Sequence, residues 1–130
     1  LVNGSCLTVL EGHTDEVNSL SFAWQNHNVV TGSDDKTGII WDVEMGKVIT
    51  RLKGHSNVVY GVCCQPQGQL IATVSFDFTC KIWDSRSGAV VKSLEGHTDD
   101  VIGVDMSQEG HLLATGSDDK QSCIWDIREW

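Results

Sequence analysis

The sequence predicts an all-β fold built from three consecutive units. Two dipeptides recur at a constant spacing of 42 residues: Gly-His at 12–13, 54–55 and 96–97, and Trp-Asp at 41–42, 83–84 and 125–126. A repeat of roughly 40 to 45 residues with these landmarks indicates four-stranded sheets rather than helical repeats. Three units of 42 residues account for 126 of the 130 residues. We therefore expect a single domain over residues 1–130, with units at approximately 5–46, 47–88 and 89–130.

Alternating apolar residues and turn residues divide the first unit into four strands, which we expect at 17–23, 29–33, 37–41 and 47–52. The run Asp34-Asp35-Lys36 predicts a tight hairpin, and Gly46 supplies a second turn because glycine accepts positive φ. The second strands, "VVTGS", "LIATVS" and "LLATGS", are nearly continuous apolar runs. This pattern is typical of strands that are covered on both faces.

The three units resemble repeats of the WD-repeat β-propeller family, over the whole chain. The resemblance is carried by "LEGHTDEV", "LKGHSNVV" and "LEGHTDDV", and by "TGSDDKTGIIWD", "TVSFDFTCKIWD" and "TGSDDKQSCIWD". It implies that each unit is one four-stranded blade of a propeller. Blade two departs from its neighbours where it carries "TVSFDF" instead of "TGSDDK".

Three blades are too few to close a ring, since propellers use four to eight. We expect the chain to open with an outer-type strand at 5–10 and to end just after the third strand of blade three, at Trp125. An unpaired edge of this kind favours pairing with another chain. We expect head-to-tail strand sharing in a homo-oligomer, either a dimer with six blades or a trimer with nine. A fragment of a longer propeller would give the same pattern.

Four polar or aromatic positions recur in every unit, and their Ser, His and Asp side chains are those of a catalytic triad. Three copies in register, each with a tryptophan, argue instead for a structural role, so we expect no catalytic residue. In the resembled family such a tetrad is a hydrogen-bond network in which the indole donates to the serine, which links through the histidine to the aspartate. The predicted tetrads are His13, Ser33, Asp35, Trp41; His55, Ser75, Asp77, Trp83; and His97, Ser117, Asp119, Trp125.

Proteins or peptides dock on the top face of the resembled propellers, and the resemblance implies three exposed positions there in each blade. Blade two carries apolar and aromatic residues where its neighbours carry mainly carboxylates, which predicts a partner with an apolar anchor beside Lys or Arg. The predicted partner-binding residues are Glu16, Asn18, Asp34; Val58, Tyr60, Phe76; and Asp100, Ile102, Asp118.

Charge and composition narrow the range of partners. With 9 basic and 18 acidic residues, the net charge is −9 and no basic patch is visible. This disfavours binding to nucleic acid or to anionic membrane surfaces. The five cysteines form no C-x-x-C pair, which disfavours a metal site. We expect reduced thiols and an intracellular, cytoplasmic protein, because disulfides mark oxidising compartments. We also expect no cofactor.

Three hypotheses for function follow. The first is a non-catalytic scaffold that binds proteins or peptides on its top face. The second is an enzyme that uses the central channel, which is disfavoured because phosphate-binding loops, nucleophile elbows and metal-ligand clusters are missing from the sequence. The third is a purely structural or engineered partial propeller that assembles without a ligand of its own.

Overall fold

A computed structural model describes residues 4–24 and 27–130, which form three antiparallel sheets. Blade one contains β1 (Val17–Phe22), β2 (Asn28–Ser33), β3 (Thr37–Asp42) and β4 (Lys47–Lys53). Blade two contains β5 (Val59–Cys64), β6 (Leu70–Ser75), β7 (Cys80–Asp84) and β8 (Val90–Leu94). Blade three contains β9 (Val101–Met106), β10 (Leu112–Ser117) and β11 (Ser122–Asp126). The expected all-β repeat fold is confirmed, with four strands in each of the first two blades and three in the last.

The predicted turns form where the sequence places them. Lys36, Phe78 and Lys120 have φ values of 74°, 74° and 72° in the hairpins between the second and third strands of the three blades. Gly46 has a φ of 68° between β3 and β4. Positive φ is costly for a residue with a Cβ atom, so glycine favours this turn.

The hydrophobic core lies between blades, because each sheet buries its apolar faces on its neighbours. One cluster joins Val30, Ile40 and Leu52 of blade one to residues of blade two that include Val59 and Val62. A second cluster joins blade two to blade three through Val74, Ile82, Val101, Leu113 and others. The first strands of the blades, β1, β5 and β9, lie next to one another.

A glycine at the interface between blades one and two allows their close approach. A Cβ atom built on Gly32 would lie 2.7 Å from Cγ1 of Val59 and 3.0 Å from Cγ1 of Val62. Real Cβ atoms do not approach so closely, so any larger residue here would push the two blades apart.

The N-terminal segment differs from the prediction, because residues 5–10 form no strand. The partner of an outer-type strand would be the third strand of a further blade, which the described chain does not supply. Leu7 and Val9 are 93% and 66% exposed, whereas Leu10 packs on Val29, Ile39 and Trp41. The segment therefore lies against blade one without pairing to it as a strand.

All five cysteines are free thiols. Cys63 and Cys80 are buried in the core between blades two and three, and burial raises the pKa of both thiols, that of Cys80 to about 12. Cys64 and Cys123 are half-buried, and Cys6 is exposed. Over residues 4–24 and 27–130, no helix has the length and apolar character needed to cross a bilayer.

Candidate functional site

Both predicted sets, apart from the tryptophans, lie at one end of the sheets, which we call the upper end. The tryptophans stand near the other end of the third strands, where they pair with residues at the start of the second strands. This end carries the loops that precede the first strand of each blade and the hairpins between its second and third strands. Antiparallel strands bring these two kinds of loop together, because the first and third strands start where the second ends. The histidine, serine and aspartate of each predicted tetrad are therefore neighbours of the surface residues.

The hydrogen-bond network of each blade uses a threonine where we expected a serine. In blade two, Nε1 of Trp83 donates to Oγ1 of Thr73 at 2.8 Å, and Oγ1 also lies 2.6 Å from Nε2 of His55. Nδ1 of His55 is 2.8 Å from Oδ2 of Asp77. The same chain of contacts runs through Thr31 in blade one and Thr115 in blade three. The expected position of Ser33, Ser75 and Ser117 between indole and imidazole is thus wrong.

Strand register explains the correction. Ile71 pairs with Trp83 across β6 and β7, and Thr73 follows two residues later on the same face of β6, within reach of the indole. Ser75 lies two residues further toward the upper end. There its Oγ donates to the backbone oxygen of Asn57 at 3.2 Å and accepts from the backbone N–H of Asp77 at 3.0 Å. The serines therefore hold the upper loops instead of linking the rings.

The donors and acceptors of the network define its direction. The indole can only donate, so the threonine hydroxyl accepts from it and gives its own proton to Nε2 of the histidine. An imidazole that accepts at Nε2 carries its proton on Nδ1, which donates to the aspartate. Burial alone would raise the pKa of Asp35, but hydrogen bonds from Thr37, His13 and Thr14 lower it to about 2. The aspartates therefore remain ionised acceptors at neutral pH.

These polar groups are buried and bonded to one another, unlike the groups of an open active site. Thr31, Thr73 and Thr115 are 5%, 0% and 2% exposed. Among residues 4–24 and 27–130, no buried side-chain nitrogen or oxygen is without a hydrogen-bond partner. Each threonine hydroxyl thus uses its hydrogen bonds within its own blade.

The surface positions predicted for each blade do come together. The backbone N–H of Phe76 donates to the carbonyl of Val58 at 3.0 Å, and equivalent bonds of 2.9 Å join Asp34 to Glu16 and Asp118 to Asp100. The remaining residue of each set, Asn18, Tyr60 or Ile102, lies at a β-bulge, where the strand register shifts. A bulge leaves one residue unpaired and re-aims its side chain, a device common beside binding sites.

In blade one the bulged residue is used within the protein. Nδ2 of Asn18 donates to Oδ1 of Asp34 at 2.7 Å and to the backbone oxygen of Val59 in blade two at 3.1 Å. Ser19, the next residue, accepts a hydrogen bond from the backbone N–H of Val62 at 3.2 Å. Asn18 therefore ties blade one to blade two.

In blade two the bulged residue forms an aromatic surface. The rings of Tyr60 and Phe76 are stacked, with centroids 5.2 Å apart and planes inclined by 22°. Tyr60 is 42% exposed, and Val58 and Phe76 are half-buried. Phe78, which was not among the predicted site residues, is 43% exposed at a φ of 74°. Lys36 and Lys120 adopt the same conformation in the other two blades, so it belongs to the hairpin of the repeat and not to Phe78 alone.

In blade three the upper end carries an acidic cluster formed by Asp99, Asp100 and Asp118. One carboxylate oxygen from each lies within 4.8 Å of the others. Partial burial and the charges of Asp99 and Asp118 raise the pKa of Asp100. Ile102, the bulged residue, is 41% exposed and has no group that could hydrogen-bond to these carboxylates.

A cleft of about 630 Å³ opens at the opposite end, between turns of blades two and three. Trp24 and Trp130, which fall outside the repeat pattern, both line it. Arg86 and Glu109 also line this cleft, so it carries charges of both signs. The charges of this cleft therefore do not select between an acidic and a basic ligand.

One family model matches most of the chain, and curated relatives match a shorter part of it. The model of one protein family, described as "WD domain, G-beta repeat", matches residues 4–42, 46–84 and 88–126. Three curated relatives, from Drosophila sechellia, Drosophila simulans and Drosophila melanogaster, are each named eukaryotic translation initiation factor 3 subunit I. Each is 40% identical over 47 residues, which is 36% of this chain and 14% of the relative.

Proposed function

Because the chain belongs to the WD-repeat family, we propose that it is a non-catalytic scaffold that binds a protein or peptide at the upper end of its blades. Loops and strand ends carry recognition in such folds, while the sheets position them. The buried hydrogen-bond networks stabilise the blades and leave the surface positions free to vary. WD-repeat proteins typically act in this way, as platforms for protein assembly.

The observation that carries this proposal is the exposed aromatic stack of Tyr60 and Phe76 on blade two. Aromatic residues dominate the centres of protein interfaces, because they bury a large area with little loss of conformational entropy. Acidic residues lie on both sides, in blade one at Glu16 and in blade three at Asp100. The complementary partner therefore offers an apolar anchor together with a basic side chain.

The curated relatives agree with a role in protein assembly, since their name describes a subunit of a larger factor. The matched segment is a small part of each relative, so their partners and pathway are not transferred to this chain. We also propose an intracellular location, which the free thiols favour because disulfides mark oxidising compartments.

Self-assembly is a second candidate function, favoured by the exposed apolar faces of the outer blades. Leu20 of blade one is 63% exposed, whereas its repeat equivalent Val62 is 6% exposed between blades. Ile124 of blade three is 67% exposed, whereas its equivalent Ile82 is fully buried. A second copy would cover both faces by repeating the blade-to-blade packing already present, with residues 5–10 completing the outer edge of blade three. Two copies would give the six-bladed ring.

Selection of peptides tests the scaffold function. A library of short random peptides is panned against the chain, and the selected peptides are measured against the double variant Tyr60→Ala, Phe76→Ala. We expect peptides that combine an apolar residue with Lys or Arg, and we expect their binding to be lost in the double variant. The control Trp24→Ala, at the opposite end, should keep binding. Equal binding to the double variant and the parent would contradict a site on blade two.

Solution mass tests the second candidate. Light scattering coupled to size exclusion should give two or three times the chain mass of 14.2 kDa if copies complete one another. The variant Leu20→Glu places a charge on the open face of blade one and should return the chain to a monomer. A monomeric parent chain would count against self-assembly and leave the scaffold function unaffected.

A further inference from the structure

The two blade junctions of the chain are closed differently at the upper end. At the first junction, Asn18 reaches from blade one to the carbonyl of Val59 in blade two. The equivalent residues at the second junction are Tyr60 and Val101. Tyr60 has no amide to donate, and its ring stacks on Phe76 of its own blade. Among the described residues, no side chain bridges to the carbonyl of Val101 in the way Asn18 bridges to Val59.

The missing bridge falls at the equivalent position of the repeat. Asn18 and Tyr60 are both bulged residues, and each precedes a strand contact with the next blade, β1 with β5 and β5 with β9. Tyr60 holds the same bulge position as Asn18, so we expect its side chain beside Val101, as that of Asn18 is beside Val59. A Cβ atom built on the adjacent Gly61 would lie 3.9 Å from the backbone oxygen of Ile102, so the two blades approach closely here. Asp100 directly precedes Val101 and belongs to the acidic cluster. An exposed aromatic ring and three carboxylates thus belong to neighbouring blades at this junction.

We propose that an arginine side chain of the partner binds at the junction of blades two and three, stacked on Tyr60 and hydrogen-bonded to the acidic cluster. This inference rests on the proposed scaffold function and assigns the basic part of the partner to one junction. A guanidinium is planar, so it stacks on a ring while its edge donates in a fork to carboxylates. A lysine ammonium offers a point charge and cannot make both contacts with the same geometry.

The first junction does not offer the same site, although it is also acidic. The side-chain amide of Asn18 already donates hydrogen bonds to Asp34 at 2.7 Å and to the carbonyl of Val59 at 3.1 Å. No aromatic ring stands at the bulge of blade one. In blade three the equivalent residue, Ile102, leaves Asp118 without such an amide. The register of the partner is therefore fixed, with its arginine between blades two and three and its apolar anchor over the Phe76 side of blade two.

The experiment is a titration of the isotopically labelled chain with N-acetylarginine methylamide, followed by amide NMR signals. N-acetylcitrulline methylamide, which has the same shape without the charge, and N-acetyllysine methylamide serve as comparison probes. We expect saturable shifts at the amides of Tyr60, Val101 and Ile102 with the arginine probe and no saturable shifts with citrulline. Equal affinity for lysine and arginine would overturn the stacked geometry.

Two double variants test which carboxylates bind the arginine probe. Asp100→Asn with Asp118→Asn should weaken arginine binding by about tenfold, as expected when charge-assisted hydrogen bonds are lost. Glu44→Gln with Glu129→Gln removes the same net charge from loops at the opposite end and should leave binding unchanged. If neutralising Glu16 and Asp34 of blade one caused the loss instead, the assignment to the second junction would be wrong.

Tyr60→Leu tests the stacking without removing apolar area. It should reduce the affinity for arginine to that for lysine, while the indole signals of the buried tryptophans report an intact fold. If the peptides selected above bind through Tyr60 and Phe76 but contain no arginine, the scaffold function stands and the arginine site fails. If neither peptides nor probes bind, both proposals fail together.

Discussion

The replacement Thr73→Val separates the observed hydrogen-bond network from the one that residue types alone suggest. Valine has nearly the shape of threonine, so packing in the fully buried site is retained while the hydroxyl is lost. The indole N–H of Trp83 then has no acceptor, and Nε2 of His55 has no donor. Each buried group left without its partner costs about 1 to 3 kcal/mol.

With two such groups, we expect the free energy of unfolding to fall by about 2 to 6 kcal/mol. For a domain of this size, that corresponds to a decrease in Tm of about 6 to 24 °C. The assay is urea unfolding followed by tryptophan fluorescence, with calorimetry as a second measure. Thr73→Ser is the matched control, because it keeps the hydroxyl and loses only one methyl group, worth about 1 kcal/mol.

Ser75→Ala completes the series. Its hydroxyl bonds only to loop backbone groups, so we expect a smaller loss than for Thr73→Val, about 1 to 2 kcal/mol. If Thr73→Val were as stable as Thr73→Ser, the network would not contribute as the distances imply. If Ser75→Ala were the most damaging of the three, the serine would be the central hydroxyl after all.

Three further predictions concern stability. Because hydrogen bonds hold the pKa of Asp35 at about 2, below the ordinary value of about 3.9, its contribution should be present above pH 4 and be lost as the pH falls toward 2; unfolding measured across this range should lose that dependence in Asp35→Asn. Gly32→Ala should cost about 1 to 3 kcal/mol because its Cβ would meet Val59 at 2.7 Å, whereas Gly103→Ala, with open space around its Cβ, should not show this loss in the same urea series. Asn18→Ala should cost about 1 to 2 kcal/mol and speed hydrogen exchange at the junction of blades one and two, and unchanged exchange would argue against the bridge.

The strands and turns could be predicted from sequence because they depend on local pattern. The 42-residue period fixes where each blade begins, and Gly46 marks a turn that needs positive φ. Residues 5–10, expected as an outer-type strand, form no strand in the single chain for a physical reason: a strand exists only with its hydrogen-bond partner, and local sequence does not say whether that partner is present.

The candidate site was less predictable because it depends on geometry across strands. A threonine ten residues before each tryptophan and a serine eight residues before it recur equally well in all three units. Both can donate and accept, so residue type does not choose between them. The register of β6 and β7 does, since it places Thr73 and not Ser75 beside the indole. The bulge that re-aims Tyr60 likewise follows from register.

Blade two illustrates how this fold separates stability from recognition. It is the blade with a neighbour on both faces within the described residues, and Trp83 and His55 are 1% and 7% exposed. Its stability therefore comes from packing between blades and from the network below the surface. The upper positions are not needed for that packing, so in blade two they can carry an exposed aromatic stack. In blade one, by contrast, the residue at the same bulge is Asn18, which holds two blades together. We therefore expect recognition at the junction whose bulged residue makes no hydrogen bond to the next blade.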